Sequence, residues 1–344
     1  MLSGLGLGGL LGVFAVASGI VVVAGVVLAR EGDTIAERSG LGGLVVGMLL
    51  LAGATSLPEI ATDVSAALAG APDLAIGDLF GSSMANMAIL AVVDLIYRGR
   101  VWTRVGLGQA RVASISIALT SVVVLAILVP PGIAIGWVGI ESMAIVAAYI
   151  AAIAWIRRSR KTGRREHDGS GEIIAPTGWG ETSGAHQSYR AVLVRFVAAA
   201  GVVLVTAPVL ALSAKGIADE SGVGETFIGT LLLAATTSLP ELVASITAVR
   251  IGAHDLAVGN LFGSNAFNMV AVFAADLAYT PGPILAAVVP AQIVAGVGAI
   301  LLMAMAVTAV IHGTETRIAR LEPDAVALLV VYAALLGAVW TAVS

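Results

Sequence analysis

The sequence predicts an all-α integral membrane protein of about ten transmembrane helices, arranged as two inverted five-helix repeats with broken helices at the centre. Of the 344 residues, 58% are apolar and only 12% are charged, whereas a soluble domain carries about a quarter charged residues. Long apolar runs recur along the chain, basic residues gather between alternate runs, and the second half repeats a motif of the first. These three observations predict the fold class.

The apolar runs indicate helices that cross a bilayer. A transmembrane helix needs about 20 residues, whereas a membrane β-barrel shows segments of about ten residues with alternating polarity. The N-terminal run has no basic region before it and continues to about Ala29, so we expect a retained first helix instead of a cleaved signal peptide. Breaks at charged, Pro and Gly clusters place the spans at approximately 4–29, 41–68, 73–97, 109–129, 133–156, 190–214, 223–249, 255–279, 284–312 and 323–342.

One long polar segment divides the spans into five and five. Residues 157–189 are rich in charge and glycine and have no apolar period, so we expect a flexible linker. The sequence therefore predicts a first five-helix repeat at 1–156, a linker at 157–189, and a second five-helix repeat at 190–344.

The basic residues predict the orientation in the cell (plasma) membrane. Lys and Arg are retained in cytoplasmic loops. With ten spans, 17 of the 18 Lys and Arg residues fall on one face, and only Lys215 falls on the other. We therefore expect both termini outside and the central linker in the cytoplasm.

An internal repeat relates the two halves. A shift of 182 residues aligns the segment from Thr55, TSLPEIATDVSAALAGAPDLAIGDLFGSSMANM, with that from Thr237, TSLPELVASITAVRIGAHDLAVGNLFGSNAFNM, without gaps. Because each half has an odd number of predicted spans, the second half would cross the membrane in the opposite direction. Inverted repeats with broken helices at matching positions are typical of transporters, whose binding site lies near the membrane midplane.

The repeated motif combines a helix break with a carboxylate. Pro58 and Pro240 have no N–H, so each helix must bend or break, and carbonyls of the preceding turn lose their intrahelical partners. Glu59 and Glu241 follow directly and add a negative charge within one turn of those carbonyls. The carbonyls concerned belong to residues 52–55 and 234–237, including those of Ala52 and Ala234.

The second part of the motif adds neutral oxygens. Gly77 and Gly81, like Gly259 and Gly263, form G-x-x-x-G steps that let two helix backbones approach closely. A serine and an asparagine follow at a four-residue spacing, hence on one helix face. Hard cations such as Ca²⁺ and Na⁺ prefer such oxygen ligands. The side chains that we expect to supply them are those of Glu59, Ser56, Ser82 and Asn86, with Glu241, Ser238, Ser264 and Asn268.

The charge of these residues favours ion exchange. A carboxylate at the bilayer centre costs at least about 2.5 kcal/mol unless it is paired, and neither motif contains Lys or Arg. One Ca²⁺, several Na⁺ or protons would neutralise the two glutamates. Because the empty site is unfavourable, one cation species would replace another.

Four further acids have open roles. Asp63 and Asp78 align with Ser245 and Asn260, so they could tune the site, accept a proton or line the access path. Two others, Asp94 and Asp276, lie near span ends, where we expect solvated or capping roles.

The paired TSLPE and G-(N/D)-LFGS segments closely resemble the two alpha repeats of the calcium/cation antiporter superfamily, in particular prokaryotic sodium/calcium exchangers. The resemblance implies exchange of Na⁺ for Ca²⁺ by alternating access at one central site shared by both halves. Some of these exchangers carry an aspartate at one of the positions held here by Asn86 and Asn268. The resemblance also implies that the first and sixth spans slide against the other eight. The Ca²⁺ ligands it implies are Glu59, Glu241, Thr55 and Thr237, and its Na⁺ positions add Ser56, Ser82, Ser238, Ser264 and the carbonyls of Ala52 and Ala234.

Two alternatives to sodium/calcium exchange remain open. In proton/calcium exchange the glutamates would titrate instead of binding Na⁺. A cation channel is less favoured because the site requires neutralisation, and a membrane enzyme is least favoured because no nucleophile–base pair is apparent. We expect Ca²⁺ and Na⁺, or H⁺, as substrates in a membrane lipid environment, with no cofactor and no nucleic-acid partner; the oligomeric state is open.

Overall fold

The computed structural model describes residues 6–97, 101, 108–166, 188–221, 237–312 and 323–343. These residues are almost entirely helical, as the sequence predicts. Residues Gly47–Leu51 form a π-helical turn between α2 and α3. The α-helices are α1 (Leu7–Ser39), α2 (Gly42–Val46), α3 (Ala52–Thr55), α4 (Leu57–Leu68), α5 (Pro72–Ile96), α6 (Gly108–Leu128), α7 (Ile140–Glu166), α8 (Tyr189–Ser221), α9 (Leu239–Arg250), α10 (His254–Ala278), α11 (Ile284–Ala287), α12 (Gln292–His312) and α13 (Pro323–Val343).

The helices confirm a multi-pass membrane protein. In the part of the chain that the structure describes, seven helices are long and apolar enough to cross a bilayer. An eighth candidate is the pair Gly42–Thr55 and Leu57–Leu68, which is bent by 49° at its break. Helix α7 adds a shorter apolar stretch, Ile140–Ile156. Exposed Val16 and Val205 on α1 and α8 are typical of surfaces that face lipid.

The predicted start of the fifth span, residue 133, is wrong. Residues Ala134–Ile135 and Val138–Gly139 form a short antiparallel hairpin, and α7 begins only at Ile140. Gly136 in the turn has φ +69°, a backbone conformation that glycine adopts without steric cost.

Other boundaries also differ from the prediction. The predicted ninth span is interrupted between α11 and α12, where Pro290 removes a backbone donor. Helices α1 and α8 extend beyond their predicted ends, to Ser39 and Ser221. Helix α7 runs to Glu166, so the first part of the predicted linker is helical. Polar residues can continue a helix beyond the apolar layer, so hydropathy marks the membrane crossing and not the helix end.

Helix bounds repeat at the same offset as the sequence motif. A shift of 182 residues carries the bounds of α1, α4 and α5 onto those of α8, α9 and α10. The breaks before α4 and α9 share one backbone conformation, with φ −87° at Ser56 and φ −85° at Ser238. The following turns contain Gly70 and Gly252 at φ +75° and +85°. The repeat in the sequence therefore corresponds to a repeat in local structure.

Helix α10 lies at the centre of the packing. It contacts the bent segment from α2 to α4, and also α5, α6, α7 and α9. In its membrane-crossing stretch, 83% of the residues are buried, compared with 11% for α13 at the edge. Helices α1 and α8 pack along each other. The repeated motif therefore lies where the halves meet.

Glycines allow the π-helical turn to approach α10 closely. A Cβ on Gly263 would lie 2.5 Å from the Met48 Cα, and one on Gly47 would lie 2.6 Å from the Leu256 carbonyl oxygen. The predicted close approach at Gly259 and Gly263 is therefore present. The equivalent contact of the first half would involve residues 222–236, which lie outside the described residues.

We expect Gly263→Ala to destabilise the protein by about 1–3 kcal/mol, the usual cost of overpacking a filled interior. The added methyl group meets backbone atoms, which cannot rotate away. Gly201→Ala is the matched control, because a Cβ on this exposed residue of α8 meets no atom within 4 Å. Thermal unfolding in detergent measures both variants, and equal stability of the two would contradict the close contact.

Candidate functional site

The bent segment brings the first motif into the protein interior. Pro58 cannot donate to the Ala54 carbonyl, and the chain bends at Ser56, between α3 and α4. The Ala52 carbonyl accepts the Ser56 N–H at 2.9 Å and the Thr55 hydroxyl at 3.3 Å. The predicted site residues of this segment are therefore buried at a helix break.

The two halves meet directly at the motif. The Ser56 hydroxyl donates to Glu241 Oε1 at 3.3 Å. The Thr55 hydroxyl lies 3.3 Å from the Asn260 Oδ1 atom. Glu59 and Glu241 are 2% and 1% exposed. Carboxylates from both halves thus share one buried region.

Amide side chains continue this region along α5 and α10. Asn86 donates its Nδ2 to Asn265 Oδ1 at 2.9 Å, and Asn265 donates to the Ser83 carbonyl at 3.2 Å. Asn268 donates its Nδ2 to the Ser83 hydroxyl at 3.3 Å. The Asn86 Oδ1 atom has no hydrogen-bond partner among the described residues, so it remains available as an acceptor.

Six of the predicted ligand side chains carry a buried oxygen that has no hydrogen-bond partner among the described residues. Buried polar atoms without partners are rare in folded proteins and require an explanation. Here they come from both halves of the chain. These atoms are Glu59 Oε2, Ser82 Oγ, Asn86 Oδ1, Ser238 Oγ, Glu241 Oε2 and Ser264 Oγ.

No basic side chain of the described residues pairs with either glutamate. The ion pair formed by Arg195 and Glu31, at 3.0 Å, joins α8 to α1. Two buried carboxylates without a cationic partner repel each other and lose hydration. The region is therefore suited to hard cations, which prefer oxygen ligands.

The sequence analysis missed four side chains of this region. Ser83 and Asn265 occupy equivalent repeat positions and hold the predicted amides. Asn260 contacts Thr55 and also donates to Ser245 at 3.2 Å. Their positions one to four residues from predicted ligands offered a signal, but all of them except Ser245 have a partner in the opposite half of the chain.

The remaining predicted positions are placed as follows. Thr237 is buried at the second break. Ala234 lies outside the described residues.

Of the two roles predicted for Asp94 and Asp276, solvated or capping, the structure shows the capping role, because both carboxylates accept backbone N–H groups at helix ends. Both residues are buried. Asp276 accepts the N–H groups of Gly139 at 2.8 Å and Ile284 at 2.7 Å, and Asp94 accepts that of Val101 at 3.2 Å. These acids fix the loops that follow α5 and α10 and are not part of the central region.

Comparison with known proteins places the chain among membrane exchangers. The family model described as sodium/calcium exchanger protein matches residues 9–157 and 191–341. The inner membrane protein YrbG of Escherichia coli is 30% identical over 250 residues, which cover 71% of this chain and 72% of YrbG. The sodium/calcium exchanger MaX1 of Methanosarcina acetivorans is 42% identical over 67 residues, which cover 17% of this chain and 19% of MaX1.

A solved structure shares the fold. The sodium-calcium exchanger NCX_Mj, soaked with Na⁺ and Sr²⁺, superposes with a TM-score of 0.68 at 21% identity. The match covers 95% of this chain and 98% of NCX_Mj. At this identity the similarity establishes the fold.

We expect the Asn86–Asn265 hydrogen bond to stabilise the contact between α5 and α10. Asn265→Leu would leave the buried Asn86 amide without its acceptor and destabilise the protein by about 1–3 kcal/mol. The double variant Asn86→Leu/Asn265→Leu should lose less stability than the sum of the two single losses, because neither amide of the pair is then left without its partner. Unfolding in detergent of the wild type, both single variants and the double variant measures this coupling. Additive losses would contradict it.

Proposed function

Because the chain belongs to the sodium/calcium exchanger protein family, we propose that it is an antiporter that exchanges Na⁺ for Ca²⁺ across the membrane. Transport occurs by alternating access at one central site formed by both halves. The observation that carries this proposal is the set of six unpartnered buried oxygens contributed by the two copies of the motif. Such a set, with two carboxylates and no basic partner, is completed by cations.

We propose the full architecture as ten transmembrane helices in two inverted repeats. Eight candidate spans, the apolar part of α7, and α9 as the second part of a further broken span make up this number. The family model matches on either side of the central linker, which supports repeats at 1–156 and 190–344. The distribution of Lys and Arg supports external termini and a cytoplasmic linker.

The proposed Ca²⁺ position lies between Glu59 and Glu241. Two carboxylates balance the charge of one Ca²⁺, and the carbonyl oxygens of Thr55 and Thr237 complete its ligands. No three His, Cys, Asp or Glu side chains of the described residues form a metal-holding group. Neutral oxygens must therefore supply much of the coordination, and Ca²⁺ accepts six to eight oxygen ligands.

The proposed Na⁺ positions use the neutral oxygens around the glutamates. Ser82 and Ser264 project unpartnered hydroxyls, and Asn86 projects an unpartnered carbonyl oxygen. Na⁺ and Ca²⁺ then compete for the same carboxylates, so entry of one species releases the other. The remaining proposed Na⁺ ligands are Ser56, Ser238 and the carbonyls of Ala52 and Ala234, with Asn268 as a further amide ligand.

Movement of α1 and α8 would open the site to alternate sides. These helices pack along each other, and both expose large apolar residues at the periphery. A lipid-facing surface of this kind can slide with little change in burial. The pair contacts the core near the second motif, where Gly25 of α1 lies against Val243 of α9.

We expect ⁴⁵Ca²⁺ uptake into proteoliposomes to require internal Na⁺ and to be lost in Glu59→Gln and in Glu241→Gln. Each change removes one of the two charges that balance Ca²⁺ while keeping the size of the side chain. Glu37→Gln, at an exposed position of α1, is the matched control and should retain uptake. Vesicles loaded with K⁺ instead of Na⁺ should take up little Ca²⁺.

Other outcomes of this assay would indicate a different transport mechanism or a different site. Uptake driven by a pH gradient without Na⁺ would identify a proton/calcium exchanger. Ca²⁺ flux without any counter-ion would identify a channel. Uptake that is indifferent to both glutamates would show that the site lies elsewhere in the protein.

We expect exchange to depend on membrane voltage. Two glutamates balance one Ca²⁺, whereas three Na⁺ would leave one surplus positive charge, which gains about 2.3 kcal/mol per 100 mV of potential. A K⁺ gradient with valinomycin sets the potential across the vesicles. A negative interior should slow Ca²⁺ entry, because one net positive charge leaves the vesicle, and a positive interior should slow Ca²⁺ exit, in each case by at most about fiftyfold per 100 mV. Equal rates at both potentials would contradict a net charge movement.

A further inference from the structure

A second pair of acids lies beside the central site and differs between the halves. Asp63 on α4 precedes the turn at Gly70 by nearly the same number of residues as Asp78 on α5 follows it. The hairpin formed by α4 and α5 therefore brings the two acids together. The same hairpin in the second half places the equivalent side chains of Ser245 and Asn260 3.2 Å apart, so the carboxyl groups of Asp63 and Asp78 lie against each other. Asp63 is only 1% exposed.

This contact is not satisfied by the protein. Both Oδ atoms of Asp63 and Oδ2 of Asp78 are buried and accept no hydrogen bond from a donor in the described residues. Two ionised carboxylates in contact repel each other, and neither has a proton to donate. The contact becomes favourable only when a positive charge is added between them.

The second half shows the neutral version of this pair. Ser245 and Asn260 stand at the equivalent positions of α9 and α10, and the Asn260 amide donates to the Ser245 hydroxyl at 3.2 Å. The same hairpin geometry therefore accommodates a hydrogen-bonded pair without any added ion. The first half carries two acids at the equivalent positions.

The described groups around the pair provide no compensating charge. Glu59, one turn before Asp63, interacts electrostatically with both aspartates and adds further negative charge. The arginines on the helices packed against α4 and α5 are engaged elsewhere or exposed, and the Lys215 side chain on α8 lies outside the described part of the structure. Arg195 pairs with Glu31, Arg250 donates to the Tyr97 hydroxyl at 3.0 Å, and Arg190 is exposed. The acids Asp73 and Asp276 accept loop N–H groups.

We propose that Asp63 and Asp78 form a second cation site, for one singly charged cation, beside the central site and only in the first half of the chain. A proton shared between the two carboxyl groups fits their direct contact, because a carboxylic acid donates to a carboxylate at hydrogen-bonding distance. Na⁺ is the other source of the same charge. A divalent ion does not fit, because the pair offers few further oxygen ligands.

Infrared spectroscopy and Na⁺ binding test this site on the purified protein. The spectrum of the wild type minus that of Asp63→Ser/Asp78→Asn, both with saturating Ca²⁺, should contain the C=O band of one carboxylic acid per molecule. The double variant copies the Ser–Asn pair of the second half, so we expect it to fold. Asp324→Asn, an exposed acid of α13, is the control and should give no such band.

Equilibrium binding of ²²Na⁺ distinguishes the two cations. If Na⁺ occupies the site, the acid band is absent from the wild type and the double variant binds one Na⁺ fewer per molecule. If the double variant loses neither a carboxylic acid nor a bound Na⁺, the proposal is wrong. Asp63→Asn is a second variant, because its amide can donate to Asp78 and should likewise remove the cation.

These measurements are independent of Ca²⁺ transport. The proposal rests on the proposed function only in placing the pair next to an exchange site. Failure of Na⁺-driven Ca²⁺ uptake would overturn the exchange mechanism and leave the result at the aspartates unaffected.

Discussion

The arrangement of the protein depends on two buried carboxylates that have no basic partner among the described residues. Glu59 and Glu241 come from opposite halves, and each is brought into the interior by a proline-induced break. Burial of such charges is costly unless oppositely charged groups or ions are present. The close glycine contacts and the amides of α5 and α10 lie in the same buried interior, and we propose that ions supply the positive charge that the carboxylates need.

The halves are similar in backbone but unequal in charge. The amides Asn86 and Asn268 contribute no charge at positions where some exchangers carry an aspartate. Two acids lie instead at Asp63, one turn after Glu59, and at Asp78, one turn before Ser82, where the second half has a neutral hydrogen-bonded pair. Negative charge is therefore concentrated on the first half, next to Glu59. An ion that occupies the aspartate pair would reduce the repulsion on Glu59, so the occupancy of the two sites would be coupled.

The sequence predicted those parts of the structure that depend on residues close together in the chain. Composition and spacing predict the 182-residue repeat, the proline breaks and the membrane-crossing helices. The bounds of α4, α5, α9 and α10 follow the same 182-residue repeat. The hairpin before α7 was missed because its apolar residues resemble a continuing span. Asn265 and Ser83 were missed because their partners are set by the register between halves, which hydropathy and motif spacing do not encode.

The loops and the centre of the protein differ in how completely protein groups satisfy their polar side chains. At the loops, Asp276 accepts backbone N–H groups at 2.7 and 2.8 Å, lengths typical of strong charge-assisted bonds. Across the centre, the contact of Ser56 with Glu241 is 3.3 Å, and so is that of Asn268 with Ser83, although Asn86 and Asn265 are joined at 2.9 Å. The unpartnered oxygens of both halves indicate that protein groups alone do not satisfy these side chains. Cations can therefore bind and leave without breaking strong bonds within the protein, while the anchored loops hold the helices in position.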